Sequence, residues 1–260
     1  MPDKRINLNA DLGEGYGPWI MGDDNAMLAI VSSANVACGG HAGDPDVMRR
    51  TVRLAREHGV SLGAHPSYPD LRGFGRRAMS LTRAELENQL AAQIGALAGI
   101  AAMEGIRVSH VKPHGALNNQ ACADRALADT ICTAIRAIDR ALILLAPAAS
   151  QLVAAGRAAG LVVVEEIFAD RAYLPDGQLV PRSQPGAMIH GAAACLAHVL
   201  EMLDAGALIA VDGTRIPTPI GSICVHGDSP DAADVARYLR QELAAIRYAI
   251  VPLPELAAGN

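Results

Sequence analysis

Strand-like and helix-like segments alternate along the whole chain, and this alternation constrains the fold more than any other feature. Short apolar runs predict buried strands at residues 5–10, 33–37, 60–64, 107–112, 141–146, 161–167 and 220–225. The segments between them predict helices at residues 24–31, 45–58, 83–104, 123–138, 148–159, 190–204 and 231–246. Because parallel strands need crossover connections, which are usually helices, about seven such units predict an α/β fold with a parallel sheet.

Reactive side chains just after the predicted strands favour a closed barrel over an open sheet. These residues are Asp11, His41, His65, Lys112, His114, Asp170 and His226. In a barrel every strand delivers its carboxyl end to one face, whereas an open sheet concentrates its ligands at one switch point. The chain has neither a GxGxxG fingerprint after its first strand nor a Walker A sequence. Its 260 residues suit a single barrel domain over 1–260.

Two connections are longer than usual, at residues 65–80 and 168–190, and long loops inside compact domains are commonly functional. Within the second, Asp176-Gly177 between two apolar pairs is typical of a β-hairpin. We therefore predict a lid hairpin over the barrel mouth around residues 168–190.

Composition excludes several classes of protein. A formal net charge of −5 without any long run of Lys or Arg argues against nucleic-acid binding. The longest apolar stretch, residues 94–103, is about half of the ~20 residues that span a membrane. The opening residues have no apolar signal core, and the five cysteines contain no CxxC pair. We expect reduced thiols, a cytoplasmic location and no membrane association.

Two strands carry polar side chains on alternate positions. In the first, Asn7, Asn9 and Asp11 share a face that we predict to point into the barrel, because three polar residues pack poorly beneath helices. A buried carboxylate is costly unless it is paired, which favours a functional role over the alternative, a buried hydrogen-bond network that fixes the strand register. In the fourth, Lys112 and His114 share a face, and an interior lysine requires a carboxylate or a substrate anion. His114 suits general acid–base work, whereas His110 lies deeper and is predicted to be structural.

The other candidates follow the remaining strands. His41 stands behind two glycines and ahead of a helix amino terminus, where free N–H groups favour anions. The loop after His65 contains three arginines, whose guanidinium groups bind carboxylate or phosphate in a bidentate way. The pair Asp170-Arg171 is either a lid ion pair or a substrate clamp. His226, at the end of the last strand, is a further predicted site residue.

Several of these segments together resemble one known family. Residues 7–17, 34–45, 63–77, 111–117, 168–173 and 223–228 are similar to the LamB/YcsF family, which is the family of the 5-oxoprolinase A subunits. The resemblance implies a TIM-like (β/α)7 barrel of the glycoside hydrolase/deacetylase superfamily type. It also implies ATP-dependent opening of 5-oxoproline (pyroglutamate) to L-glutamate, with ATP and Mg and with partner B and C subunits. Gly40 and Asn118 depart from the family pattern, which often has aromatic residues there, and this affects the expected pocket shape.

Two groups of residues follow as the predicted site. The predicted catalytic residues are Asp11, His41, His65, Lys112, His114 and His226, with Asp11 or His114 as the general base. The predicted substrate-binding residues are Glu14, Arg72, Arg76, Arg77, Asp170 and Arg171, for a small anionic lactam. Two alternatives stay open: a metal-dependent amide hydrolase or deacetylase with a divalent metal on Asp11, His41 and His65, and a non-catalytic lactam-binding subunit. No metal belongs to the main prediction.

Overall fold

Seven parallel strands close into a barrel surrounded by helices. The computed structural model describes residues 4–225 and 232–259. Within them the strands are β1 Lys4–Leu12, β2 Ser33–Ala37, β3 Ser61–His65, β4 Val108–Val111, β5 Ile143–Pro147, β6 Val163–Phe168, β7 Ala207–Ile209, β8 Arg215–Pro217, β9 Ser222–Cys224 and β10 Tyr248–Ile250. The helices are α1 Asp24–Leu28, α2 Pro45–Glu57, α3 Arg83–Met103, α4 Gly115–Ala123, α5 Arg125–Ile138, α6 Gln151–Ala158, α7 Ala192–Ala205, α8 Ala232–Ala245 and α9 Leu253–Ala258.

The barrel closes through β1, which has a partner on each side. Residues 9–12 pair with β2, and residues 7–9 pair with β9. The other pairings follow the order β2-β3-β4-β5-β6-β9, and all of them are parallel. The predicted α/β barrel is therefore confirmed, and its carboxyl ends open at one face, which we call the mouth. At the opposite end, β10 pairs with residues 4–6 of β1, and α9 packs Leu253 and Leu256 against β5 and β6.

All seven predicted strands correspond to barrel strands, and their helices follow with small shifts at the ends. The structure adds α4, the antiparallel β7–β8 pair, β10 and α9, which were not predicted. Helix α4 was missed because Gly115, Asn118 and Asn119 are weak helix formers and leave no clear helical signal so soon after β4. Among the helices of the described ranges, none is long and apolar enough to cross a lipid bilayer.

Local hydrogen bonds and glycine conformation set several of the helix ends. Asp44 caps α2 ahead of Pro45, and Thr82 forms a capping box with Glu85 at the start of α3. Gly59, which follows α2, has a φ of +67°, a left-handed conformation that glycine adopts without strain. These residues determine where each helix begins or ends relative to the neighbouring strand.

The barrel interior holds a fully buried polar layer, which we call the interior layer. Its members are Asn7, Asn9, Ser33, Asn35, His110 and Ser222. Asn7 Nδ2 donates to Ser33 Oγ at 2.7 Å and to the Val251 carbonyl at 2.9 Å, and its Oδ1 accepts from Ser222 Oγ at 2.6 Å.

Higher in the interior layer, Asn35 Nδ2 donates to Asn9 Oδ1 at 2.8 Å. The Nε2 atom of His110 lies 3.1 Å from Asn35 Oδ1, and its Nδ1 lies 2.9 Å from Ser109 Oγ. A Cβ atom at Gly63 would collide with the imidazole of His110, so glycine is needed at that position of β3. The predicted structural role of His110 agrees with this burial and these partners.

A tight hairpin follows β6, in the segment predicted to form a lid. Leu174 N–H donates to the Gln178 carbonyl at 2.7 Å, and Tyr173 pairs with Leu179 across the turn. Gly177 has a φ of +84°, as the Asp-Gly signal requires. Gln178 and Leu179 line the cavity at the mouth, so the hairpin forms part of its wall.

Candidate functional site

A cavity of about 480 Å³ opens at the mouth, and the ends of β1, β3 and β4 supply its polar wall. The described residues that line it and carry ionisable side chains are Asp11, Glu14, His65, Arg76, Lys112, His114, Cys122, Arg171, Tyr173 and Arg182. His41 lies behind the wall, with its ring stacked on that of His114. We call Asp11, Glu14, His41, His65, Lys112 and His114 the mouth cluster. The structure thus brings together five of the six predicted catalytic residues.

Lys112 lies at the floor of the cavity, only 2% exposed, among acidic groups. Its Nζ is 3.1 Å from Asp11 Oδ1, 3.1 Å from Glu166 Oε2 and 3.1 Å from Cys224 Sγ. Burial alone would lower the pKa of Lys112, but Asp11, Cys224 and Glu166 together raise it well above its usual value. The lysine is therefore charged and holds Asp11 in place, which satisfies the predicted need of an interior lysine for a carboxylate.

The three histidines of the cluster are buried and differ in charge. Burial is the main reason why the pKa values of His41 and His114 lie well below 6.5, so both rings are neutral near pH 7. For His65 burial also opposes protonation, but the Asp11 carboxylate outweighs it and raises the pKa of the imidazole. Asp11 Oδ2 lies 3.3 Å from His65 Nε2. The cluster therefore combines two neutral imidazoles with a third, that of His65, whose pKa is raised by a fixed carboxylate.

Backbone of the loop after β3 holds the imidazole of His114. The carbonyl of Phe74 accepts from His114 Nε2 at 2.9 Å, and Phe74 has a φ of +53°, a strained value for a residue with a side chain. Gly75 follows with a φ of +62°, and a Cβ there would lie 2.8 Å from His114 and 2.9 Å from His41. Glycine is required for this close approach of the loop to both histidines.

The predicted substrate-binding residues divide into two groups. Glu14, Arg76 and Arg171 line the cavity. Arg171 is 5% exposed and donates to the Val180 carbonyl at 2.8 Å, and burial, followed by repulsion from Arg182, lowers its pKa.

The structure does not bring Arg72, Arg77 or Asp170 to the cavity wall. The guanidinium of Arg77 pairs instead with Asp70 in its own loop. The backbone carbonyl of Asp170 accepts from Ile189 N–H at 2.9 Å, which ties the two ends of the lid segment together. His226, a predicted catalytic residue, lies outside the described residues.

Two site residues were missed from the sequence. Glu166 is fully buried on β6 beside Lys112, and burial raises its pKa although Lys112 opposes this. The sequence did carry a signal for Glu166, because two glutamates interrupt an otherwise apolar strand there. Adjacent residues of a strand point to opposite faces, so one of the two glutamates must point into the barrel. Arg182 lines the cavity from the segment after the hairpin, and the sequence offers no signal for it beyond its charge.

One set of described residues has donor atoms close enough to share a metal ion. The donor atoms of Glu14, His41, His65 and His114 all lie within 4.8 Å of one another. This set shares His41 and His65 with the alternative set predicted from the sequence, and it contains Glu14 and His114 where that set has Asp11. Three imidazoles and a carboxylate suit a divalent transition metal.

Comparisons with known proteins agree with this architecture. The family model LamB/YcsF matches residues 6–258. The chain is 60% identical over 252 residues to the 5-oxoprolinase A subunit of Azoarcus sp. (strain BH72), an alignment that covers 97% of this chain and 98% of that protein.

Solved structures show the same fold. The lactam utilization protein from Thermus thermophilus superposes with a TM-score of 0.89 at 42% identity, covering 96% of this chain and 100% of that one. The T48 deacetylase, at 14% identity and a TM-score of 0.53, shares the fold alone, with 99% and 92% of the two chains covered. As predicted from its sequence, the chain belongs to the LamB/YcsF family.

Proposed function

We propose that this chain is the A subunit of an ATP-dependent 5-oxoprolinase and opens 5-oxoproline to L-glutamate together with B and C subunits. One observation carries the proposal. Asp11, His65 and Lys112, which are far apart in sequence, converge at the mouth of a barrel, where enzymes of this architecture place their active sites. The name of the Azoarcus relative supports the reaction and the multi-subunit assembly.

The reaction requires activation because a lactam is a stable amide. Transfer of the terminal phosphoryl group of ATP, bound with Mg, to the amide oxygen makes the ring carbon a better electrophile and releases ADP. Water then adds to that carbon, and the ring C–N bond breaks as the nitrogen takes up a proton. The resulting acyl phosphate is hydrolysed by a second water to glutamate and phosphate. The cavity of about 480 Å³ has room for such a small substrate.

Asp11 suits the role of general base better than His114. The Oδ1 atom of Asp11 accepts from Asn35 Nδ2 at 2.9 Å and from Lys112 Nζ at 3.1 Å, so the carboxylate is held rigidly at the cavity wall. Both ring nitrogens of His114 already face other groups of the protein. A fixed carboxylate can orient the attacking water and accept its proton.

The cavity wall also carries positive charge for an anionic substrate. Arg171 and Arg182 both line the cavity, and the lowered pKa of Arg171 reflects its burial first and then its repulsion from Arg182. Two adjacent guanidinium groups are stabilised by an anion between them, and each can form bidentate hydrogen bonds with a carboxylate. We assign them to the carboxylate of the lactam or to the phosphoryl group of its activated form.

An exposed apolar segment supports association with partner subunits. In the loop between β1 and α1, Trp19 is 72% exposed and Ile20 is 87% exposed, next to the half-exposed Met21. Contiguous apolar side chains on a surface are typical of protein interfaces.

Reconstitution tests the proposal directly. The chain is combined with the B and C subunits, ATP, Mg and 5-oxoproline, and glutamate is measured, with controls that omit ATP or this chain. We expect glutamate only in the complete mixture, and its loss with Asp11→Asn. Lactam binding without product in the complete mixture would instead identify a non-catalytic binding subunit.

A further inference from the structure

Two hydrogen bonds determine which nitrogens of His65 and His114 carry protons. His65 Nδ1 lies 2.7 Å from the Lys112 carbonyl oxygen, and His114 Nε2 lies 2.9 Å from the Phe74 carbonyl oxygen. Carbonyl oxygens only accept, so both of these nitrogens carry a hydrogen. When both rings are neutral, His65 Nε2 and His114 Nδ1 are therefore both acceptors. They lie 3.0 Å apart, so the pair is stable only with a proton or a metal ion between the two nitrogens.

Glu14 and His41 complete a set of four donors around the same point. Glu14 Oε1 lies 3.0 Å from His41 Nε2 and 3.6 Å from His114 Nδ1. A tetrahedral ion with ligands at 2.0–2.1 Å separates them by about 3.3–3.4 Å. Three of the six distances among the donors, from 3.0 to 3.6 Å, bracket this value, and all six lie within 4.8 Å. The donors are thus close enough to converge on one ion.

A proton between His65 and His114 explains only part of this arrangement. It would satisfy one pair of nitrogens, but the ring of His41 stacks on that of His114 at 3.6 Å and 1°. Holding three imidazoles and a carboxylate together in a buried place is costly unless a shared ligand compensates.

We propose that Glu14, His41, His65 and His114 bind one divalent transition-metal ion such as zinc. Nitrogen-rich donors favour zinc, cobalt or nickel over magnesium and calcium. The carbonyls of Lys112 and Phe74 orient two of the rings, as acceptors behind metal-bound histidines commonly do. Glu14, His65 and His114 also line the cavity, which gives an ion a path from solvent. A bound ion would polarise a carbonyl or lower the pKa of a water molecule.

This inference goes beyond the proposed function and holds for any substrate. Its test measures binding rather than turnover, so its failure would leave the proposed reaction untouched. Metal is first removed from the full chain with a chelator. The chain is then titrated with Co²⁺, and binding is measured from the visible absorption of the ion. A second titration adds competing Zn²⁺ and is measured by calorimetry. We expect one equivalent per chain, a spectrum typical of tetrahedral Co²⁺, and displacement by Zn²⁺.

Matched substitutions locate the ion. His65→Gln and His114→Gln should weaken Co²⁺ binding by about 100-fold, and Glu14→Gln, which keeps the side-chain volume, by about tenfold or more. His58→Gln changes an exposed histidine next to the end of α2 and should leave the affinity unchanged. Circular dichroism and an unfolding midpoint establish that each variant is folded.

If a histidine variant does not fold, the Co²⁺ affinity of Glu14→Gln and the Co²⁺ spectrum of the wild-type chain still test the proposed metal site. Absence of stoichiometric binding to the wild-type chain, an octahedral spectrum, or an affinity that survives these substitutions would overturn the proposal.

Discussion

The interior layer and the mouth cluster are both buried and polar, yet they differ in how their atoms are satisfied. In the interior layer, asparagine and serine side chains mostly meet each other and backbone carbonyls, and only its upper members Asn9 and Asn35 also donate to the carboxylates of Glu166 and Asp11. Among the described residues, the buried side-chain atoms without a partner are His41 Nδ1, Asn118 Oδ1, Glu166 Oε1 and Arg171 Nε. All four belong to residues that line the cavity or that form or contact the mouth cluster.

We infer that the interior layer stabilises the fold and that the mouth cluster, farther along the barrel axis, carries out the reaction. A satisfied neutral network fixes strand register without leaving charge to neutralise. At the mouth, by contrast, some buried polar atoms lack a partner, two imidazole nitrogens point at each other, and one loop is strained. A bound ligand can supply the missing partners there. Changes in the interior layer should therefore unfold the protein, and changes at the mouth should leave a folded protein without activity.

The largest effect should come from His114→Gln in the mouth cluster. It removes the imidazole that lies between His41 and His65 in the cluster. We therefore expect glutamate release to fall by about 10³-fold or more in the reconstituted system. The free energy of unfolding should change by less than about 1 kcal/mol, because the glutamine amide can replace the imidazole as the donor to the Phe74 carbonyl. Steady-state assays and urea unfolding measure the two quantities. Activity within tenfold of wild type would contradict the role given to the mouth cluster.

Asn7→Ala should do the opposite at the other end of the barrel. It removes one buried hydrogen bond each from Ser33, Ser222 and the Val251 carbonyl, which should lower the free energy of unfolding by about 2–4 kcal/mol. The exposed Asn25→Ala is the matched control and should change it by less than about 0.5 kcal/mol. Urea denaturation distinguishes them, and equal stability of the two variants would refute a structural role for the interior layer.

His110→Gln should sharpen the comparison through pH. Burial, and then the charge of Lys112, lowers the pKa of His110 to about 3. The unfolded chain takes up a proton near pH 6.5 and the folded chain does not, so stability falls as the pH drops below 6.5. Between pH 7 and pH 5 this residue should account for about 2 kcal/mol of the loss. Urea unfolding of the variant should show a smaller loss by that amount, and an unchanged pH dependence would contradict the neutral, buried histidine.

The smallest effect concerns the arginines. Arg182→Gln should raise the KM for 5-oxoproline about tenfold with little change in kcat, because it removes charge from the cavity wall, a loss of about 1.4 kcal/mol. Arg72→Gln, in the loop after β3 but outside the cavity wall, should leave KM unchanged. Equal effects of the two substitutions on KM would indicate that the loop after β3 binds the substrate, as predicted from the sequence.

The sequence predicted the barrel because each strand and helix carries its own local signal. Alternation along β1 and the run from His110 to His114 predicted which side chains would meet, and the structure brings Asp11, Lys112 and His114 together. What it could not predict depends on contacts between distant segments. Arg77 is taken up by Asp70, and Glu14 joins the histidines only because the turn after β1 folds over the mouth.

The central claim is that the mouth cluster performs the chemistry while the interior layer maintains the fold. The most direct measurement is glutamate release per folded molecule for His114→Gln and Asn7→Ala, assayed side by side where both are folded. We expect Asn7→Ala to keep the wild-type turnover per folded molecule and His114→Gln to lose it. A fully active His114→Gln, or a folded but inactive Asn7→Ala, would contradict the central claim.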